Sequence, residues 1–221
     1  MLDLLFGNDS KQSFTNRPTG QVHEYYLTGP IGRAEEYTSW FNVIRHAGEN
    51  DIIMLYINSP GGDMFTAIQF LSVLKETEAT VVVKVEGACM SAATMIMLGG
   101  DKFMLDEHCM FMYHNYSGGT IGKGGEMYDN ITYERKWSKK FMHDIYKDFL
   151  NKSEIDKMLD GKDLWLTSDE VADRLRKKAE AMKKEIDIFL EELGVDAAEE
   201  LEEVLAEMEA EANRSKTIEP L

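Results

Sequence analysis

Three times in the middle of this chain an apolar run of strand length ends at a glycine-marked turn and gives way to a helical pattern. That repeat restricts the fold more than any other feature of the sequence. In the first unit "DIIMLYIN" is a buried-strand run, "SPGGD" is a turn, and "MFTAIQFLSVLKET" puts Phe65, Ile68, Leu71 and Leu74 on one helical face. In the second, "ATVVVKVEG" is the strand, Gly87 supplies a flexible joint, and "SAATMIMLGG" is a short helix closed by a glycine pair. In the third, "KFMLD" and "CMFMYH" are two short strands, "NYSGGTIGKGG" is a loop, and a long helix runs from about Glu126 to Asn151. Upstream, "EYYLTG" and "EEYTSWFNVIRHAG" add another strand and helix. Strands alternating with helices specify an α/β fold with a mostly parallel sheet.

Around this organised part, from about Val22 to Lys178, the two ends read differently. Residues 1–20 mix Gly, Asn, Ser, Thr and Pro without periodicity and are expected to form a mobile N-terminal arm. Residues 178–221 are expected to form an acidic helical extension, with Ile186, Phe189, Leu190 and Leu193, then Leu201, Val204, Leu205 and Met208, at helical spacing. The central domain is therefore expected over residues 21–177. Across all 221 residues, 40 acidic side chains against 24 basic ones give a formal charge of -16, which repels a phosphate backbone and argues against nucleic acid as a partner. No stretch reads as a signal peptide or a membrane span, and Cys89 and Cys109 fit neither a metal-ligand spacing nor a disulfide framework. A cytoplasmic chain without cofactor, metal or membrane contact is the expectation.

In parallel α/β sheets ligands bind beyond the carboxyl ends of the strands. Three polar features fall there: "NSPGG" (Asn58–Gly62), Ser91 and His114. A serine hydroxyl needs a base within hydrogen-bond reach, and His114 is the candidate. If Ser91 opens its helix, the N–H of Ala92 points at charge developing on a substrate, and the side-chain-free Gly61–Gly62 backbone can supply further donors for an oxyanion hole. Each piece has a plainer reading: Ser91 as an N-cap, Pro-Gly-Gly as a turn, His114 as a packed histidine. The segment "GACMSAA" lacks the G-x-S-x-G pattern of the α/β-hydrolase elbow.

Taken in order, "YINSPGGD", "GACMSAA", "MYHN" and "DLWLTSDEVA" resemble the proteolytic subunit of the Clp protease and its ClpP-like relatives, including phage-encoded ones, over roughly Val22 to Ala172. The resemblance implies a ClpP/crotonase-like repeated ββα spiral with a long handle helix. It implies a serine endopeptidase acting by an acyl-enzyme mechanism: Ser91 as nucleophile, His114 as base, Asp163 as the aspartate that orients it, and Gly62 and Ala92 as the oxyanion N–H donors. Asp163 is chosen by the resemblance; the residues alone do not separate it from Asp144, Asp156 or Asp160. Thr167 and Glu170 read as a capping box opening the helix that follows.

The resemblance further implies a homo-oligomer, a heptameric ring or stacked double ring, in which the helix from Glu126 is the handle between rings. Substrates would be peptides or unfolded protein, and a separate AAA+ ATPase unfoldase is an implied partner, since no G-x-x-x-x-G-K-S/T loop occurs in this chain. If the chain is phage-encoded, its compartment is the host cytoplasm. It departs from the family at Ala92 (usually Met), at Tyr116 (commonly Pro), and after Asp163, where "ADRLRKKAEAMKK" replaces a last turn and strand. Two other classes share the architecture: crotonase-type acyl-CoA enzymes, which need only the oxyanion donors, and non-catalytic ring subunits or scaffolds.

Overall fold

The computed structural model describes residues 20–192, and these divide into two units at the Tyr116–Ser117 junction. In the first unit, strand β1 (Val22–Thr28) leads through a 3-10 turn (Ala34–Tyr37) into helix α1 (Thr38–His46). Strand β2 (Ile52–Ser59) then precedes α2 (Met64–Glu76), and β3 (Thr80–Met90) precedes α3 (Ala92–Met97). Two short strands follow, β4 (Lys102–Leu105) and β5 (Met110–Tyr113). Every strand pair here is parallel: β1 with β2, β2 with β3, and β3 with both β4 and β5. The expected strand–turn–helix order and the parallel sheet are both present.

The apolar run of β2 is not covered on both sides. Ile53, Leu55 and Ile57 are buried, as are Val81, Val83 and Val85 beside them on β3, whereas Met54 and Tyr56 between them are half-buried. The helices lie on one face: Trp40 of α1 sits 4.9 Å from Tyr25, which is in register with Leu55, and Phe41 of α1 meets Phe70 of α2 edge-on at 4.8 Å. On the other face Tyr26 stacks on Tyr56 at 4.6 Å and Lys84 pairs with Glu86 at 3.1 Å. Packing between α1 and α3 also widens the buried arc of α2 beyond the expected stripe. Thr66, Ala67, Phe70, Leu71, Val73 and Leu74 are buried, while Phe65 is 69% exposed.

Strand β3 corrects the expectation of a joint at Gly87. It runs on through Gly87 to Met90, and the glycine sits in a bulge. Before the bulge Val82–Val85 pair with β4; after it Ala88–Met90 pair with Met110–Met112 of β5. One strand thus serves two partners in succession, and the bulge is where it changes between them.

The second unit contains α4 (Gly124–Tyr146), α5 (Lys152–Leu159), the short strand β6 (Leu164–Thr167) and α6 (Ser168–Glu192). The helix expected over Glu126–Asn151 ends earlier, at Tyr146, and Asn151 is instead the N-cap of the next helix, α5, accepting the Glu154 N–H at 3.0 Å. Met142, Tyr146, Ile155, Met158 and Val171 are its most deeply buried side chains. The Thr167–Glu170 capping box is formed, Thr167 N–H donating to Glu170 Oε2 at 2.8 Å and Glu170 N–H to Thr167 Oγ1 at 3.4 Å. Helix α6 passes without a break through residue 178, where the acidic extension was expected to begin. The N-terminal arm and most of that extension lie outside the described residues.

Candidate active site

Ser91 is the single residue between β3 and α3, and its backbone is folded back at φ 54°, ψ −128°. Among the described residues it is the one non-glycine with positive φ. Such a conformation costs about 1–3 kcal/mol and persists only where the surroundings enforce it. The enforcement is visible. Ser91 N–H donates to Met112 O at 2.8 Å, extending the β3–β5 ladder one residue beyond the Met90–Met112 pair, and Ser91 O accepts both the Thr94 N–H (2.9 Å) and the Thr94 hydroxyl (2.7 Å).

Although Ser91 occupies the N-cap position of α3, its hydroxyl makes no capping bond. Capping needs an extended backbone that aims the oxygen into the first turn. Here Oγ lies instead 2.6 Å from Nε2 of His114. His114 directly follows β5, two residues past the carbonyl that holds the Ser91 amide, so the β3–β5 register brings together two residues 23 apart in sequence. With Nε2 unprotonated, the Ser91 hydroxyl donates to it.

The glycine pair lies against this turn. A Cβ on Gly61, where φ is +93°, would stand 2.6 Å from the Ser91 Cβ, 2.7 Å from Met90 O and 3.0 Å from Ala92 N. Only a glycine allows so close an approach. Gly62 abuts another segment: it bridges to Ile31, and its Cβ would fall 2.2 Å from Ile31 O. Ile31 N–H donates to Gly61 O at 2.9 Å and Ile31 O accepts the Asp63 N–H at 3.0 Å, so Ile31 occupies the groups flanking Gly62 and leaves Gly62's own N–H directed away from it. Gly61 N–H is already committed to the buried Ser59 Oγ at 3.1 Å. Of the two glycines, Gly62 is therefore the one with an N–H to offer, beside that of Ala92 at the head of α3. Asp63 then caps α2, accepting the Thr66 N–H at 2.7 Å.

Ser91 and His114 are both half-buried. Cys89, two residues before the serine, is fully buried, and burial pushes its thiol far above the ordinary cysteine range, which makes it a neutral packing group. Asp163 belongs to the second unit, where it is exposed and immediately precedes β6. Among the described residues no group of three or more His, Cys, Asp or Glu side chains could hold a metal ion, and no helix is long and apolar enough to cross a membrane.

Sequence reasoning named Ser91 and His114, which the structure brings together, but not Ile31 or Ser59. Ile31 supports the glycine turn from thirty residues upstream, and only the three-dimensional pairing identifies it. Ser59 sits within the quoted "NSPGG", yet nothing in that string says that its hydroxyl turns onto the Gly61 amide.

A serine with strained backbone and a histidine in contact with it lie at the carboxyl rim of a parallel sheet that carries helices on one face, the frame of an α/β protein. The Clp protease family model matches residues 31–174, and the chain belongs to that family, with its mixed α/β fold. Among curated proteins, the ATP-dependent Clp protease proteolytic subunit of Ostreococcus tauri is 31% identical over 77 residues, 34% of this chain. The match spans 38% of that relative's length.

Proposed function

We propose that this chain is a serine endopeptidase that cleaves peptides or unfolded polypeptides through an acyl-enzyme. The observation that carries the reading is the 2.6 Å contact of Ser91 Oγ with His114 Nε2, made by a serine that forgoes helix capping at a strained backbone angle. His114 Nε2 takes the hydroxyl proton as Oγ attacks the scissile carbonyl, and the charge that develops on the carbonyl oxygen is met by the N–H groups of Gly62 and Ala92. His114 then gives the proton to the leaving amine. Water, deprotonated by the same histidine, attacks the ester, and the acid is released as Ser91 regains its proton. Asp163 has the role of holding His114 in the required tautomer, an assignment that rests on the family resemblance.

In this reading the working form is a homo-oligomeric ring or stacked double ring in the cytoplasm, with a separate ATPase that unfolds folded substrates and delivers them as extended chains. Membership of the Clp protease family supports it. The test is hydrolysis of a short fluorogenic peptide, together with labelling by a fluorophosphonate, which phosphonylates a nucleophilic serine and releases fluoride. Wild type is expected to turn over and to label at Ser91, and Ser91→Ala to do neither while keeping its assembly. Silence of the wild-type protein in both assays with its assembly intact would overturn the proposal.

A further inference from the structure

Just before it reaches Ser91, strand β3 makes a detour, and we propose that the Asn58 carboxamide, by holding that detour, is a positioning residue for the nucleophile. The inference rests on the reading of Ser91 given above. Ile57 pairs with Val85 and Ser59 pairs with Cys89, so the single residue Asn58 on β2 stands opposite three on β3, Glu86, Gly87 and Ala88. A bulge of this kind interrupts the ladder and leaves amides without strand partners. The Asn58 side chain supplies one: its Oδ1 accepts the Ala88 N–H at 3.0 Å.

The main chain that carries the carboxamide is itself anchored. Asn58 O accepts the Gly29 N–H at 2.9 Å, which ties the residue to the segment after β1. Across the bulge, a Cβ on Gly87 would come within 2.7 Å of Oδ1, so the side chain lies flat against backbone that a larger residue could not provide. From Ala88 onward everything that orients Ser91 follows: Ala88, Cys89 and Met90 pair with Met110, Phe111 and Met112, and Ser91 N–H bonds Met112 O. Releasing Ala88 frees the bulge to move by a residue along β5, and a one-residue slip turns each side chain to the opposite face. Ser91 would then lose His114. The neighbouring Ser59 holds the Gly61 amide. Two adjacent side chains thus fix the two sides of the site, Asn58 the nucleophile's strand and Ser59 the glycine turn.

The feature under test is the acceptor oxygen, and Asn58→Leu removes it at similar size while Asn58→Asp keeps it. Each variant is to be assayed as the assembled full chain for the saturating rate and half-saturating concentration of fluorophosphonate labelling, and for hydrogen exchange across residues 86–91. Asn58→Leu is expected to lower the saturating rate by about ten- to hundredfold, with little change in the half-saturating concentration, as for a misplacement approaching 1 Å. Its Ala88 amide should exchange faster. Asn58→Asp should restore both readouts towards wild type. Should Asn58→Leu fail to fold, Asn58→Ala takes its place. Wild-type labelling in the variant without the acceptor, equal loss in Asn58→Asp, or unchanged exchange over 86–91 would overturn the proposal. If wild-type Ser91 itself does not label, the peptidase reading falls, and exchange alone then decides whether Asn58 holds the strand: acceleration confined to 86–91 upholds the clasp and no acceleration refutes it.

Discussion

Replacing Gly61 by alanine is the smallest change that should disable the site without touching Ser91 or His114. The added Cβ would lie 2.6 Å from the Ser91 Cβ and 2.7 Å from Met90 O. Non-bonded carbons settle at about 3.5 Å or more, so the serine turn or the glycine turn must give way by about 1 Å. Neither obstacle is the end of a flexible side chain. Moved by that amount, the Ser91–His114 contact would stretch from 2.6 Å to about 3.6 Å, beyond a hydrogen bond. Turnover and fluorophosphonate labelling should fall about a hundredfold. The φ of +93° adds a folding cost of about 1–2 kcal/mol for an L-residue, visible in the melting temperature. Gly29→Ala is the control. Its φ of +85° imposes the same strain, but a Cβ there meets nothing within 4 Å. It should lose stability and retain activity. A Gly61→Ala protein that labels at the wild-type rate, with its assembly intact, would refute the steric argument.

Three further outcomes follow from other parts of the structure. Ser91→Gly should be more stable than Ser91→Ala by about 1 kcal/mol in denaturant melts, because glycine tolerates φ 54° and alanine does not; equal stabilities would mean that the backbone is unstrained. Both should be inactive. The Arg174 guanidinium, bonded to the two oxygens of Glu154 at 2.7 and 2.8 Å, holds that carboxyl below its ordinary value of 4.5. A depressed folded pKa means stability that is present above the ordinary value and is lost as pH falls through the folded one. Glu154→Gln should therefore cost about 2 kcal/mol at neutral pH, and its difference from wild type should shrink in melts below the ordinary pKa. On the outer sheet face, the bond from Tyr56 to Glu24 at 2.9 Å pushes the phenol up to about 12. Glu24→Gln should bring its ionisation down towards 10 in an ultraviolet titration, and an unmoved titration would show that the bond does not set it.

How much of this was legible in the sequence depends on whether the signal was local. Turn glycines, apolar runs and helical spacing are local, and they placed β1 to β5 and their helices in order. The resemblance supplied Asp163. The exposure of Phe65 was not legible, because helical spacing finds an apolar stripe but not the neighbours that decide which part of it is covered. The course of β3 was hidden for a different reason. Glycine in "VEGACMS" is as consistent with a strand end as with a bulge, and only the partners decide: Asn58 on one side, β5 on the other. Ile31 carried no signal at all, since its contribution is main-chain pairing that any non-proline residue could make.

The same distinction bears on the two readings of the Ser91 hydroxyl, as an N-cap and as the proposed nucleophile. An N-cap serine stabilises its helix by about 1 kcal/mol, and an alanine-rich segment after it fits that plain reading well. The structure forgoes this gain and adds backbone strain of about 1–3 kcal/mol at the same residue. A helix whose role was only to pack would keep the extended backbone and the cap. What holds α3 is burial: all six of its residues, Ala92 to Met97, are inside, so the cap is dispensable and the turn can be bent for another purpose. The bend does two things at once. It delivers Oγ to His114, and it leaves the Ala92 N–H uncovered by the serine's own oxygen, next to the Gly61–Gly62 turn. The Ser91 side chain makes no capping bond and faces His114 instead, the orientation that the proposed nucleophile needs.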